Sequence, residues 1–117
     1  MRELKLRWCA VWALVVGLTA GTNGAFAASA DNGKTAYVKH GCWQCHGFLG
    51  QGGVAGPKIA PDPIPLEALV AFLRSSNRTM PPYREAILSN ADIAEIHAYL
   101  ASLPKPAGPN TIPLLNQ

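Results

Sequence analysis

Cysteine is scarce in this chain of 117 residues: of three copies, Cys9 stands alone near the amino terminus while Cys42 and Cys45 share the stretch HGCWQCHG. So few cysteines exclude a disulfide-stapled scaffold. Methionine is scarcer still, with Met1 and Met80 the two copies. Charge is thin as well, at 15% of residues, with no basic run and no interleaving of aromatic and basic side chains. That removes the electrostatic footprint of nucleic-acid binding, and no nucleic-acid partner is expected. No segment past the first 30 residues alternates polar and apolar over a strand's length, so strands are not expected either.

The amino terminus reads as a secretory signal peptide. Arg2, Lys5 and Arg7 form a basic head, Trp8 to Ala20 is mostly apolar, and Ala25-Phe26-Ala27 closes the stretch with small residues around a bulky one. The apolar run falls short of the roughly 20 residues that span a bilayer, so the mature protein is expected to lack a membrane span. Removal of residues 1–27 is expected, with Ala28-Ser29-Ala30 the second choice of cleavage site, and the destination is the periplasm. Cys9 leaves with that segment, and three cations leave against Glu3, so the whole-chain charge of +3 drops to +1. What remains is one small domain, 28–103, and a proline-rich tail, 104–117. Chains of this size are marginal unless a disulfide, metal or cofactor staples them.

Cys42, Cys45 and His46 form the pattern C-x-x-C-H. A disulfide across it closes too small a loop to add much stability. A redox dithiol of the thioredoxin sort requires a strand ahead of the motif, and DNGKTAYVKHG reads as helix instead. Zinc requires four ligands, and His40 and His97 repeat no finger spacing. Covalent haem is the third possibility. Two intervening residues let both sulfurs meet one edge of the macrocycle, and the next imidazole reaches the iron from the same side. An export signal ahead of the motif strengthens this reading.

Haem iron has a second axial face, for which the downstream candidates are Met80 and His97. Met80 lies in NRTMPPYRE, where Pro81 and Pro82 stiffen the backbone directly after it. A lone methionine is ordinarily a core filler, but this one sits in a polar, proline-punctuated loop. His97 falls beside the apolar stripe of a helix, where a packed or half-exposed histidine is the plainer reading. His40 is too near the motif to reach over the ring and reads as a partly exposed helix-end residue.

The periodicities place these residues on a helical frame. Asp31 or Asn32 is expected to cap a helix reaching about His40 and broken at Gly41. Residues 47–65 hold five glycines and four prolines and read as loop. PLEALVAFLRSS aligns Leu66, Leu69, Val70 and Leu73 on one stripe of a short helix. A last helix begins at Ser89, with Asp92 three residues on as in a capping box, and stops before Pro104. Its stripe is Ile93, Ile96, Leu100 and Leu103. Leu114 and Leu115 in the tail are expected to dock on the domain or on a partner.

Taken in order, NGKTAYVKHGCWQCHG, GPKIAP, TMPPY and LSNADIAEIHAYLASLP resemble the class I c-type cytochromes over nearly the whole mature chain. More narrowly, the chain is similar to small bacterial cytochromes that accompany periplasmic dehydrogenases. The resemblance implies an all-α cytochrome c fold, three to four short helices around one covalent haem c. It implies thioethers at Cys42 and Cys45, iron ligation by His46 and Met80, and a Pro57 carbonyl holding the His46 imidazole. It also implies that the first and last helices cross where Gly33 and Tyr37 meet Tyr99. The covering loop is short for the class, Met80 following His46 by 34 positions. Arg74, Arg78 and Tyr83 read either as anchors for haem propionates or as solvated surface. Trp43, inside the motif, packs sideways or lies at the surface as a contact residue. With both axial positions filled, the expected role is an electron carrier rather than an enzyme, accepting electrons from a dehydrogenase and passing them to the respiratory chain, with a periplasmic dehydrogenase, a terminal oxidase or another cytochrome as redox partner. The alternative is a haem enzyme or gas sensor with a displaceable methionine.

Overall fold

The computed structural model describes residues 27–116. The signal-peptide reading of residues 1–27 lies, but for its last residue, outside them. Among the described residues there are four helices and no strand: α1 (Ala30–Lys39), α2 (Trp43–His46), α3 (Leu66–Ser75) and α4 (Asn90–Ser102), followed by two short 3-10 turns at Pro109–Thr111 and Pro113–Leu115. The all-α expectation holds.

The cap of α1 is Ser29, not Asp31 or Asn32. Its hydroxyl accepts the backbone N–H of Asn32 at 3.4 Å, which starts the helix two residues earlier and places Asp31 in the first turn, where the helix dipole favours a carboxylate. At α4 the expected capping box is present. Ser89 Oγ accepts the Asp92 N–H at 3.1 Å and donates to the Asp92 carboxylate at 2.8 Å.

α1 and α4 make the principal packing of the fold. They approach closely because Gly33 has no side chain: a Cβ added there would strike the backbone carbonyl of Glu95 and lie 2.8 Å from the Tyr99 Cβ. Tyr37 on α1 and Tyr99 on α4 then meet with ring centres 5.6 Å apart and planes tilted by 56°, a favourable aromatic arrangement. Around them Ala36, Ala60, Leu73, Leu88, Ile93, Ile96 and Leu100 complete the buried core.

The expected stripe of α3 is only partly buried. Leu73 is in the core, whereas Leu66, Leu69 and Val70 pack against it half-exposed. The reason is position, since Leu69 and Leu73 also border the cavity described below. The stripe of α4 keeps Ile93, Ile96 and Leu100 buried, with Leu103 half-buried as the C-cap just past the helix. In the tail, Leu114 and Leu115 are 79% and 64% exposed, so they do not dock on the domain.

Candidate functional site

The hydroxyls of the two core tyrosines reach out of the crossing to the chain just past the motif. Tyr37 donates to the Gly47 carbonyl and Tyr99 to that of Phe48, each at 2.8 Å. Burial raises the pKa of both phenols, and for Tyr37 charge at Cys42 and Tyr99 adds to it. Both therefore stay protonated as donors across the physiological range. The end of α2 is thus fixed to the α1–α4 pair.

From there the backbone turns sharply. Gly52, at φ +87°, donates its N–H to the His46 carbonyl at 2.9 Å, and a side chain there would lie 2.7 Å from the Lys58 nitrogen. Gly56 lies against the Cys45 backbone, where a Cβ would come within 2.9 Å of its carbonyl oxygen. The loop is thereby pressed onto α2, and the Pro57 carbonyl arrives 2.7 Å from His46 Nδ1. A carbonyl oxygen only accepts, so Nδ1 carries the proton and Nε2 keeps the lone pair of the buried imidazole.

Cys42, Cys45 and His46 border one cavity of about 540 Å³. Met80 borders the same cavity from the connection between α3 and α4, together with apolar side chains that include Ile59, Leu69, Phe72, Leu73 and Ile96. The cavity is of cofactor size and largely apolar, as cofactor sites are. Both cysteines are free thiols, Cys42 half-buried and Cys45 exposed. Burial pushes the Cys42 thiol up to about 11, so it is protonated at neutral pH and unsuited to act as a redox nucleophile. Among the described residues no cluster of histidine, cysteine and carboxylate could hold a metal ion by itself. The donor set fits a large, mostly apolar group anchored at two thiols and offered an imidazole lone pair and a thioether.

The other candidates fall elsewhere. His97 Nε2 is 3.1 Å from the Ile64 carbonyl, to which it donates, and it does not border the cavity. His40 is half-buried, with Nε2 enclosed and without a partner among the described residues. Arg74 is committed to structure, donating to the Tyr83 carbonyl at 2.9 Å and to Asn90 Oδ1 at 2.6 Å. Arg78 and Tyr83 do border the cavity. Trp43 is half-buried and stacks on Phe48, with ring centres 4.5 Å apart and planes within 11° of parallel. Sequence reasoning missed Ser76, whose buried hydroxyl donates to the Met80 carbonyl at 2.6 Å. A serine at a helix end carries no signal of such a non-helical partner.

Residues 28–100 match the family described as cytochrome C oxidase, cbb3-type, subunit III. That is more than half of the chain, and the chain belongs to this family of c-type cytochrome domains. No curated protein and no solved structure matched it. The all-helical architecture accords with a cytochrome c fold, and the family membership makes the protein a haem-based electron carrier rather than an enzyme. It also brings haem c with iron, and redox partners in general. Among the described residues no helix is long and apolar enough to cross a membrane.

Proposed function

We propose that the chain carries one haem c, joined by thioethers to Cys42 and Cys45, with His46 and Met80 as the two axial ligands of the iron. The observation that carries this reading is the convergence of all four side chains on one cavity, with the His46 lone pair freed by its bond to Pro57. When bound, the haem supplies a one-electron couple between ferrous and ferric iron. The residues supply the rest. His46 is held in a single tautomer and orientation by Pro57, which raises its basicity as a ligand. Met80 offers a thioether, which would favour the reduced state of a bound haem and would leave no position for other ligands. The apolar walls keep water from the site and disfavour added charge there.

The protein is exported to the periplasm as a mature chain from residue 28 and accepts electrons from a dehydrogenase there. A terminal oxidase or a second cytochrome receives them. The acceptor is supported by the family description, which names a subunit of a terminal oxidase. The test is the spectrum of the purified oxidised protein. A low-spin spectrum with a methionine-to-iron charge-transfer band in the near infrared is expected. A high-spin spectrum would overturn the ligand assignment in favour of a haem enzyme or gas sensor with an open position.

A further inference from the structure

Residues 77–82, which contain Met80, are held to the rest of the protein by the packing of the Met80 side chain against the core and by very little hydrogen bonding. Asn77, Arg78 and Thr79 are exposed, and Pro81 and Pro82 have no N–H to donate. Among the described residues, the hydrogen bond from Ser76 Oγ to the Met80 carbonyl, at 2.6 Å, is the one such bond this segment makes. Ser76 itself is 8% exposed and directly follows α3, in an extended conformation with φ −56° and ψ 131°. Its hydroxyl therefore points from a packed helix end back into the loop. Just past the segment the chain is fastened again: Tyr83 N–H donates to the Leu73 carbonyl at 2.8 Å, and Arg74 holds the Tyr83 carbonyl. The Tyr83 hydroxyl reaches the His40 carbonyl at 3.1 Å, joining this wall of the cavity to the end of α1. Burial raises the pKa of that phenol, so it remains a donor.

We infer that Ser76 is the positioning residue for Met80, an inference that rests on Met80 being the axial ligand. Tyr83 and Arg74 define where the loop ends, but the methionine lies three residues before Tyr83, past two prolines that make no hydrogen bond among the described residues. The backbone at Met80 itself is set by the serine hydroxyl. Without it a half-buried carbonyl loses its donor, which destabilises the ligated arrangement more than the detached one, where water reaches the carbonyl. Ser76 would thus control how long the thioether stays on the iron, without itself bordering the cavity.

The experiment uses the haem-loaded mature protein with Ser76→Ala, Ser76→Thr and Ser76→Val. Threonine and valine have nearly the same shape, and only threonine keeps the hydroxyl, so their difference isolates the hydrogen bond from packing. The readouts are the methionine-to-iron band followed from neutral to alkaline pH, and the rate of cyanide binding to the oxidised protein. The alanine and valine variants should lose the band at lower pH than the parent and bind cyanide about tenfold faster, the scale of one lost buried hydrogen bond. The threonine variant should stay near the parent. If alanine leaves both readouts unchanged, or if threonine and valine behave alike, Ser76 does not position Met80. If the parent itself lacks the band, the ligand assignment fails and the inference falls with it.

Discussion

Gly33 faces Tyr99 across the α1–α4 crossing at a distance that leaves no room for a methyl group, since a Cβ on Gly33 would lie 2.8 Å from the Tyr99 Cβ and would strike the Glu95 carbonyl. In an ordinary helix interior, Gly→Ala stabilises by about 1 kcal/mol. Here the sign should invert. Gly33→Ala is expected to destabilise the haem-loaded protein by about 1–3 kcal/mol through overpacking of the crossing, which lowers Tm by about 4–8 °C for each kcal/mol in a domain of this size. A thermal melt checks it, and a rise in Tm would show that the helices can separate without cost.

The double substitution of Cys42 and Cys45 by Ala should abolish haem retention through denaturation. Both thiols border the cavity and neither is engaged in a disulfide. Haem staining after a denaturing gel reads the outcome directly. A stained band in the double variant would mean that attachment runs through other residues.

Met80→Ala should keep the haem attached while lowering the reduction potential, because a thioether favours ferrous iron. A fall on the order of 100 mV is expected, a change of roughly fiftyfold in preference for the reduced state at about 59 mV per decade for one electron. Carbon monoxide and cyanide should then bind readily. An unchanged potential with slow ligand binding would transfer attention to His97, although its Nε2 is engaged by the Ile64 carbonyl.

Acid should loosen the start of α4. The Ser89 hydroxyl, donating to the Asp92 carboxylate, holds that carboxyl below its usual range, with nearby His40 and Lys39 contributing less. A depressed folded-state pKa means that the stabilisation is present above the usual value near 3.9 and disappears as pH falls through the folded value. Ser89→Ala should cost about 1 kcal/mol at neutral pH and less in acid below the lowered folded value, where the carboxylate is protonated and only the bond from the Asp92 N–H remains to be lost. Urea midpoints at the two pH values measure the gap, and an equal cost at both would show that the carboxylate contributes nothing.

Trp43→Ala should leave haem and potential intact but slow electron delivery to or from the partner by roughly fivefold or more, the scale of an interface residue costing at least 1 kcal/mol. The indole supports Phe48, which is 56% exposed beside the motif. With a net charge of only +1 past residue 27, the rate should depend little on salt. Stopped-flow reduction by a co-purified dehydrogenase across ionic strengths is the measurement. Unchanged rates would remove Trp43 from the contact surface, and rates falling steeply with salt would point to Lys34, Lys39, Lys58 and the arginines.

Helices and motif were legible before any fold was known because each depends on neighbours in the chain. Two residues between Cys42 and Cys45, a histidine next to them, a serine three before Asp92 and an apolar stripe through Ile93, Ile96 and Leu100 are all readable at a separation of one or two helical turns. Even so, Ser29 displaced Asp31 and Asn32 as the cap of α1, because several residues nearby could cap and only the helix's packed register selects one. The half-buried face of α3 was likewise hidden, since periodicity shows that a face is apolar but not what it borders.

Contacts between residues far apart in sequence were decided by tertiary structure alone. No pattern in the chain connects the hydroxyl of Tyr99 with the Phe48 carbonyl, 51 residues away, or Tyr83 with the His40 carbonyl, 43 away. The Pro57 carbonyl was pointed out by family resemblance, but its aim at His46 comes from a loop that Gly52 and Gly56 let settle against α2. Ser76 differs again. It is four residues from Met80, yet the same spacing inside a helix would have directed its hydroxyl to a backbone carbonyl of the preceding turn, as Ser75 does to Ala71. Only the extended backbone where α3 stops turns it forward, and that stop is set by the packing of Leu73 and the fastening of Tyr83, which no local run of residues encodes.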